Sequence, residues 1–149
     1  MFSEQQKEKF EANGYLVIEN FITDTLVAEL RKLVTEMASF EEKSGEGYYY
    51  PFDKSGLTQR VWNLTNKSKR FRDLLEKDEL SEIMNYIFRR PTSHQLFHLS
   101  SFQANILYPG AERQKLHIDT PFPEPLPPWP AKANSIWLLD DFTDENGAT

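Results

Sequence analysis

The spacing of the apolar residues changes near Pro91, and this change constrains the fold more than any other feature of the chain. Before Pro91, apolar residues recur with the spacing of amphipathic helices, as they do over residues 26–37. After Pro91, short runs rich in β-branched and aromatic residues alternate with turns that contain proline or glycine. Since no linker separates the two halves, the 149 residues predict one α+β domain, mainly helical over 1–91 and strand-forming over 92–149.

Helix starts are predicted where a capping side chain precedes an apolar run. Such starts lie at Ser3, at Thr23–Asp24 and at Ser68. A further helix through Leu80–Phe88 is expected to stop before Pro91. The helical part should therefore consist of several short helices and one long helix that begins near residue 24.

Strands are predicted at five places in the chain. These are Tyr15–Ile18, Thr58–Leu64, Leu96–Tyr108 (either one bent strand or two strands), Leu116–Asp119 and Ala133–Leu139. The stretch Ser44–Gly56 contains three glycines and is predicted to be a loop, whose Tyr48–Phe52 part either packs on the domain or contacts an apolar substrate.

Composition excludes several classes of protein. The chain has no cysteine, which rules out disulfides, zinc–thiolate centres and thiol nucleophiles. The net charge of −6 disfavours nucleic acid or an anionic membrane as a partner. No apolar run approaches the ~20 residues of a membrane span, and the charged N-terminus does not resemble a signal peptide, so we expect a cytoplasmic protein. The basic stretch 67–72 is either a solvated helix start, which we favour, or a patch for a phosphate-bearing substrate.

The pair His117 and Asp119 carries the strongest chemical signal. On a strand, side chains two positions apart point to the same face, so the imidazole and the carboxylate would lie side by side. They would supply two ligands of the 2-His-1-carboxylate facial triad, which leaves three positions on iron open. The spacing alone is weak evidence, because His-x-Asp often arises by chance. His94 and His98 have i, i+4 spacing, but they lie in a stretch predicted to be extended, where structural roles are favoured.

The context of this pair resembles the phytanoyl-CoA dioxygenase family of Fe(II)/2-oxoglutarate-dependent oxygenases. The resemblance runs in order through residues 10–18, 105–110, 114–119, 135–141 and 144–149. It implies N-terminal helices packed on a double-stranded β-helix (jelly-roll or cupin-like) core, of which the C-terminal strands are missing from this chain. It also implies Fe(II) and 2-oxoglutarate as cofactors, with O2 and a small organic molecule as substrates.

The resemblance assigns roles to particular residues. His117 and Asp119 become iron ligands, while Asn105 and Trp137 become 2-oxoglutarate-binding residues. Structural alternatives remain for the last two: a strand-face amide hydrogen-bonded to its neighbours for Asn105, and core packing for Trp137. A carboxylate at position 119, where related halogenases carry a small residue, favours hydroxylation of a C–H bond. Arg60 is expected either to face the cleft or to form a surface salt bridge.

The family's pattern continues with a distal histidine and a 2-oxoglutarate-binding arginine, but no histidine follows Asp119 here. We therefore expect the N-terminal portion of an oxygenase, inactive on its own. The alternative is a non-catalytic, cupin-like binding module that has lost its metal site. The proline-rich run 121–130 is interpreted as a rigid lip beside the metal, or less favourably as a docking peptide.

Overall fold

A computed structural model describes residues 2–89, 97–115, 117–119 and 124–146. In chain order, the elements are α1 (Glu4–Asn13), α2 (Asp24–Ser44), β1 (Tyr48–Tyr49), β2 (Thr58–Val61), α3 (Leu64–Lys67), α4 (Lys69–Leu75), α5 (Asp78–Ile87) and β3 (Ala104–Leu107). The strands form one antiparallel sheet in the order β1-β2-β3. The α+β class predicted from the sequence is confirmed.

Helices α1, α2 and α4 begin where the sequence predicts, whereas α3 begins at Leu64, the last residue of a predicted strand. The Ser3 hydroxyl accepts a hydrogen bond from the Gln6 amide at 3.2 Å, and the Gln6 side-chain oxygen accepts one from the Ser3 amide at 2.9 Å. This capping box satisfies two amides that the first turn of α1 leaves without helical partners. The Thr23 hydroxyl likewise accepts from the Leu26 amide at 3.3 Å at the start of α2. Gly14 ends α1 with φ = 76°, a left-handed conformation that suits glycine.

The core lies between α2 and one face of the sheet. Its buried members come from α2, β2, α3 and α4: Leu30, Val34, Ala38, Val61, Leu64, Phe71 and Leu74. Buried Gln59 also faces this side and bonds at both ends of its amide: Nε2 donates to the Ala38 carbonyl at 3.1 Å, and Oε1 accepts from the Tyr108 hydroxyl at 2.7 Å. The polar side chain is therefore satisfied inside the core.

The register of the sheet separates the core side chains from a second, polar face. Arg60 pairs with Tyr48 of β1 and with Asn105 of β3, so these side chains lie on one face of the sheet. Ile106 is half-buried against the core, whereas Asn105 and Leu107 are exposed. Asn105 and Leu107 therefore lie on the face of the sheet that is turned away from the core.

Several predicted strands are absent from the described residues. Tyr15–Ile18 forms no strand; Tyr15 and Val17 are 67% and 71% exposed. Residues 117–119 and 133–139 are likewise outside any strand. A run with strand-like composition becomes a strand only when another chain segment forms backbone hydrogen bonds with it. Among the predicted strands, those at β2 and β3 have such partners in the described parts of the chain. Conversely, β1 forms within the predicted loop.

Some sequence predictions fall on residues outside the described ranges. These are His94, Leu116, Pro121, Pro123 and residues 147–149. In the described part of the chain, no helix is both long and apolar enough to cross a lipid bilayer.

Candidate functional site

The side chains of His117 and Asp119 lie next to each other, although the segment that carries them is not a strand. Nε2 of His117 is 3.1 Å from Oδ1 of Asp119, and both side chains are about half exposed (52% and 47%). Nδ1 of His117 lies 2.7 Å from the Lys115 carbonyl oxygen. The two candidate ligands are thus adjacent and reachable from solvent.

The contact with Lys115 favours one tautomer of His117. A carbonyl oxygen can only accept, so the contact is favourable when Nδ1 donates, and in the neutral ring Nε2 then has a lone pair. That lone pair faces a carboxylate oxygen, and two acceptors do not attract each other. Both contacts of the ring are favourable together when a cation lies at Nε2: either a second proton, which gives an imidazolium–carboxylate pair, or a metal ion.

The distance between the two acceptors fits a metal ion. With metal–ligand bonds of roughly 2.0–2.2 Å, neighbouring ligand atoms in an octahedral site lie about 2.8–3.1 Å apart. The 3.1 Å separation of Nε2 and Oδ1 falls in that range. Metal-binding histidines also commonly donate their other N–H to a backbone carbonyl, as His117 does here. The described residues contain no group of three or more His, Cys, Asp or Glu side chains placed for a metal, so they offer this pair rather than a complete ligand set.

Asn134 contacts the second oxygen of the Asp119 carboxylate. Its Nδ2 donates to Oδ2 at 2.6 Å, from a position fifteen residues further along the chain. No sequence signal predicts this contact, because an isolated asparagine is unremarkable and the two residues are distant in sequence. The contact of His117 with the Lys115 carbonyl could not be predicted either, since every residue has a carbonyl group.

A buried aspartate connects the loop before β2 to the segment that leads to His117. Oδ1 of Asp53 accepts from the Ser55 amide at 2.9 Å and from the Glu112 amide at 3.4 Å, and Oδ2 accepts from the Leu57 amide at 3.2 Å. Hydrogen bonds from the side chains of Ser55 and Thr58 hold the pKa of Asp53 well below its ordinary value. The Tyr108 amide also donates to the Leu57 carbonyl at 2.9 Å. These contacts fix the chain shortly before the candidate ligands.

Arg60 lies on the polar face of the sheet, directly opposite Asn105. Its guanidinium stacks 3.8 Å above the Tyr50 ring and lies 5.9 Å from that of Trp62. No ion pair between described residues involves Arg60, and its buried Nε has no hydrogen-bond partner among them. Of the two alternatives for Arg60, the surface salt bridge is therefore not the one observed.

Asn105 is exposed, and its side-chain oxygen accepts a hydrogen bond from Gln103 at 3.2 Å. Trp137 is half-buried, packs against the core and lies 5.4 Å from the Phe21 ring, centroid to centroid. Its indole nitrogen is buried without a partner in the described parts of the chain. An indole N–H normally finds an acceptor when buried, so this donor lacks a partner, which the described residues do not supply.

The contacts divide the candidate residues into separate groups. His117 and Asp119 contact each other, Lys115 and Asn134, whereas Asn105 contacts Gln103 and faces Arg60 across the sheet. The ring of Trp137 contacts the ring of Phe21 and packs against the core. A cavity of about 350 Å³ lies on the core side of the sheet and is lined by residues such as Thr35, Glu42 and Tyr49, not by these candidates.

Each basic side chain of the stretch 67–72 contacts an acidic side chain or a backbone carbonyl of the same chain. Lys67 contacts Glu41, Lys69 contacts Asp73, Arg70 contacts Glu29 at 2.6 Å, and Arg72 donates to the Thr65 carbonyl at 2.5 Å. These pairs favour the structural interpretation over a phosphate patch.

Comparison with known proteins points to one family of dioxygenases. The profile of the phytanoyl-CoA dioxygenase (PhyH) family matches residues 10–149. Dioxygenase af480 of Aspergillus fumigatus is 28% identical over 148 residues, which cover 98% of this chain and 46% of that protein. Multifunctional dioxygenase ausE of Emericella nidulans and that of Aspergillus calidoustus are each 26% identical over 150 residues, covering 94% of this chain and 48% of each relative.

The chain therefore spans about half the length of the curated relatives it matches. No solved structure matches it significantly.

Proposed function

Because the chain belongs to the phytanoyl-CoA dioxygenase family, we propose that it forms part of an Fe(II)/2-oxoglutarate-dependent dioxygenase. The enzyme hydroxylates an unactivated C–H bond of a small organic substrate. One oxygen atom of O2 enters the product hydroxyl, and the other enters the succinate formed when 2-oxoglutarate loses CO2. The relatives named above are dioxygenases by their names, which supports the reaction class.

The observation that carries this proposal is the pair of acceptors at the candidate centre. His117 Nε2 and Asp119 Oδ1 face each other at 3.1 Å while His117 Nδ1 donates to the Lys115 carbonyl. An imidazole nitrogen and a carboxylate oxygen suit a divalent iron, and the chain has no thiolate that would favour zinc. His117 and Asp119 would hold the ion. When bound, Fe(II) and 2-oxoglutarate supply the activation of O2 for attack on the C–H bond.

The co-substrate is a dicarboxylate, and the polar groups available on this chain suit such an anion. Trp137 offers a buried indole N–H without a partner, and we propose that it donates to a carboxylate. Asn105 contributes its amide from the exposed face of β3. Arg60, opposite Asn105, adds a fixed positive charge on the same face. These residues bind and orient the co-substrate; proton and electron transfer do not require them.

We further propose that residues 1–149 form one domain, and that β3 and the segments through His117 and Ile136 belong to a jelly-roll core. Alternation supports this arrangement. Trp137 and Leu139 pack against the core. Ile136, which precedes Trp137, is 74% exposed, and Leu138, which lies between the two, is 45% exposed. Such alternation is what a strand in a two-layered β-structure requires.

The function is tested by measuring succinate formation from 2-oxoglutarate in the complete gene product. Turnover should require Fe(II), should be lost on chelation, and should fall by at least 100-fold in Asp119→Ala, since one ligand of the ion is removed. Asp144→Ala, an exposed aspartate in the turn after Phe142, is the matched control and should leave succinate formation unchanged.

The rival function is a non-catalytic, cupin-like binding module. It would be indicated by a complete protein that takes up no Fe(II) and forms no succinate from 2-oxoglutarate. That outcome would reject the dioxygenase, whereas turnover that survives Asp119→Ala would reject Asp119 as the iron ligand.

A further inference from the structure

We propose that Asn134 is a positioning residue that holds the Asp119 carboxylate as a one-oxygen metal ligand. This inference rests on the proposed function, because it assigns Asn134 a role toward the ion that His117 and Asp119 would bind. Asn134 does not itself contact the reacting atoms.

The two oxygens of Asp119 have different partners. Oδ2 accepts the Asn134 amide at 2.6 Å, whereas Oδ1 faces His117 Nε2 at 3.1 Å. A carboxylate can rotate about its Cβ–Cγ bond, and that torsion has only weak preferences of its own. The Asn134 bond selects one orientation: it directs Oδ1 toward the histidine and engages one lone pair of Oδ2.

The consequence concerns how many positions on the metal remain open. A carboxylate binds a divalent ion through either one oxygen or both. Binding through both would occupy a position that a facial-triad enzyme needs for its co-substrate or O2. Because Oδ2 is held by an amide N–H, binding through Oδ1 alone is favoured and that position stays open. Hydrogen bonds to ligating carboxylates are a recurrent means of fixing ligand geometry.

Asn134 also links two parts of the chain that share no strand pairing. Residues 117–119 and 133–139 lie outside the sheet, so no ladder of backbone bonds fixes their relative position. The amide of Asn134 and the carboxylate of Asp119 supply a direct connection between them. A purely structural role for this bond would affect stability but not the coordination of a metal, and the two roles are therefore separable.

The test uses Co(II) as a spectroscopic probe in the complete gene product, titrated without oxygen. The variants are Asn134→Ala, Asn134→Leu, which keeps the side-chain volume but has no N–H, Asp119→Ala, and Asn66→Ala as the control. Asn66 is exposed like Asn134 but lies on α3. The readouts are the Co(II) dissociation constant, the Co(II) absorption bands and the melting temperature.

We expect both Asn134 variants to bind Co(II) about 10- to 100-fold more weakly, the usual effect of removing a hydrogen bond to a metal ligand. Their absorption bands should differ from those of the wild type because the carboxylate is free to bind through both oxygens. Asn66→Ala should match the wild type in every readout, and Asp119→Ala should show no saturable binding.

The alternative outcomes separate the two proposals. If the Asn134 variants match the wild type in affinity and spectrum while Asp119→Ala loses binding, the metal site stands and the positioning role is wrong. If the wild type binds Co(II) no better than Asp119→Ala, the metal site is wrong, and the role of Asn134 falls with it.

Discussion

At the candidate centre, individual hydrogen bonds determine which atoms are free to bind a metal. The pairing of His117 with Asp119 was predictable, since residues two apart in an extended segment share a side. What fixes their orientation was not, because the Lys115 carbonyl and the Asn134 amide carry no sequence signature. Sequence identifies the candidate ligands here, and the structure identifies the groups that orient them.

Asp53 predicts a pH-dependent contribution to stability. Hydrogen bonds from the Ser55 and Thr58 side chains lower its pKa from the ordinary 3.8, so the unfolded state binds the proton more readily than the folded state. The stabilisation is fully present above pH 4 and is lost progressively as pH falls below it. Asp53→Asn should therefore melt at a lower temperature than the wild type at pH 7, and the difference should shrink toward pH 3.

Melting temperatures measured by circular dichroism from pH 7 to pH 3 test this. Asp144→Asn, a change at an exposed aspartate, provides the comparison and should follow the wild type throughout. A gap between Asp53→Asn and the wild type that is constant with pH would show that the carboxylate charge is not what stabilises the loop.

Among the elements, all the helices but α3 were predictable, whereas only two of the five predicted strands, at β2 and β3, formed among the described residues. Capping at Ser3, Thr23 and Ser68 is local, because each cap bonds to an amide two or three residues away. A strand depends on a partner that is distant in sequence, as β2 depends on β3 some 45 residues later. Composition indicated a strand at Tyr15–Ile18, but no described segment pairs with it; Tyr15 and Val17 are exposed, and Leu16 and Ile18 are half-buried.

The N-cap of α2 should contribute measurably to stability. The Thr23 hydroxyl satisfies the Leu26 amide at the start of the helix that backs the sheet. Thr23→Ala should lower the free energy of unfolding by about 1 kcal/mol, whereas Thr23→Ser, which retains the hydroxyl, should lose much less. Urea denaturation of the three proteins measures both differences. Equal losses in the two variants would exclude the cap as the cause.

Side chains hold the segment 133–140 where a strand ladder does not. Arg31 of α2 donates through Nε to the Leu139 carbonyl at 2.8 Å and pairs with Asp140 at 2.9 Å. Both charged groups are exposed, so Arg31→Ala should cost at most about 1 kcal/mol. Its main effect should be several-fold faster amide exchange across residues 133–140.

Hydrogen exchange followed by mass spectrometry reports on that segment directly. Lys32→Ala, which removes a neighbouring exposed cation that pairs with Glu36 instead, is the control. If both variants accelerate exchange equally, the tether to Leu139 is not responsible.

On the scale of the whole molecule, stability depends on the contact between α2 and the core face of the sheet. Leu30 is 1% exposed at its centre. Leu30→Ala should lower the free energy of unfolding by roughly 2–5 kcal/mol, because it removes buried carbon and leaves a cavity. Leu107→Ala, on the opposite face and 55% exposed, should change it by no more than about 0.5 kcal/mol. Comparable losses from both would contradict the assignment of the core.

The strand β2 carries two sets of side chains that alternate one by one. Val61 and Gln59 belong to the core, and Arg60 between them faces Asn105. Deleting or inserting a single residue in this strand would exchange the two sets and place a guanidinium among buried carbons. In a library selected only for folding, variants with a one-residue deletion or insertion in β2 would therefore be lost. Arg60 would keep its place on the face of Asn105 even though no variant is assayed for oxidation.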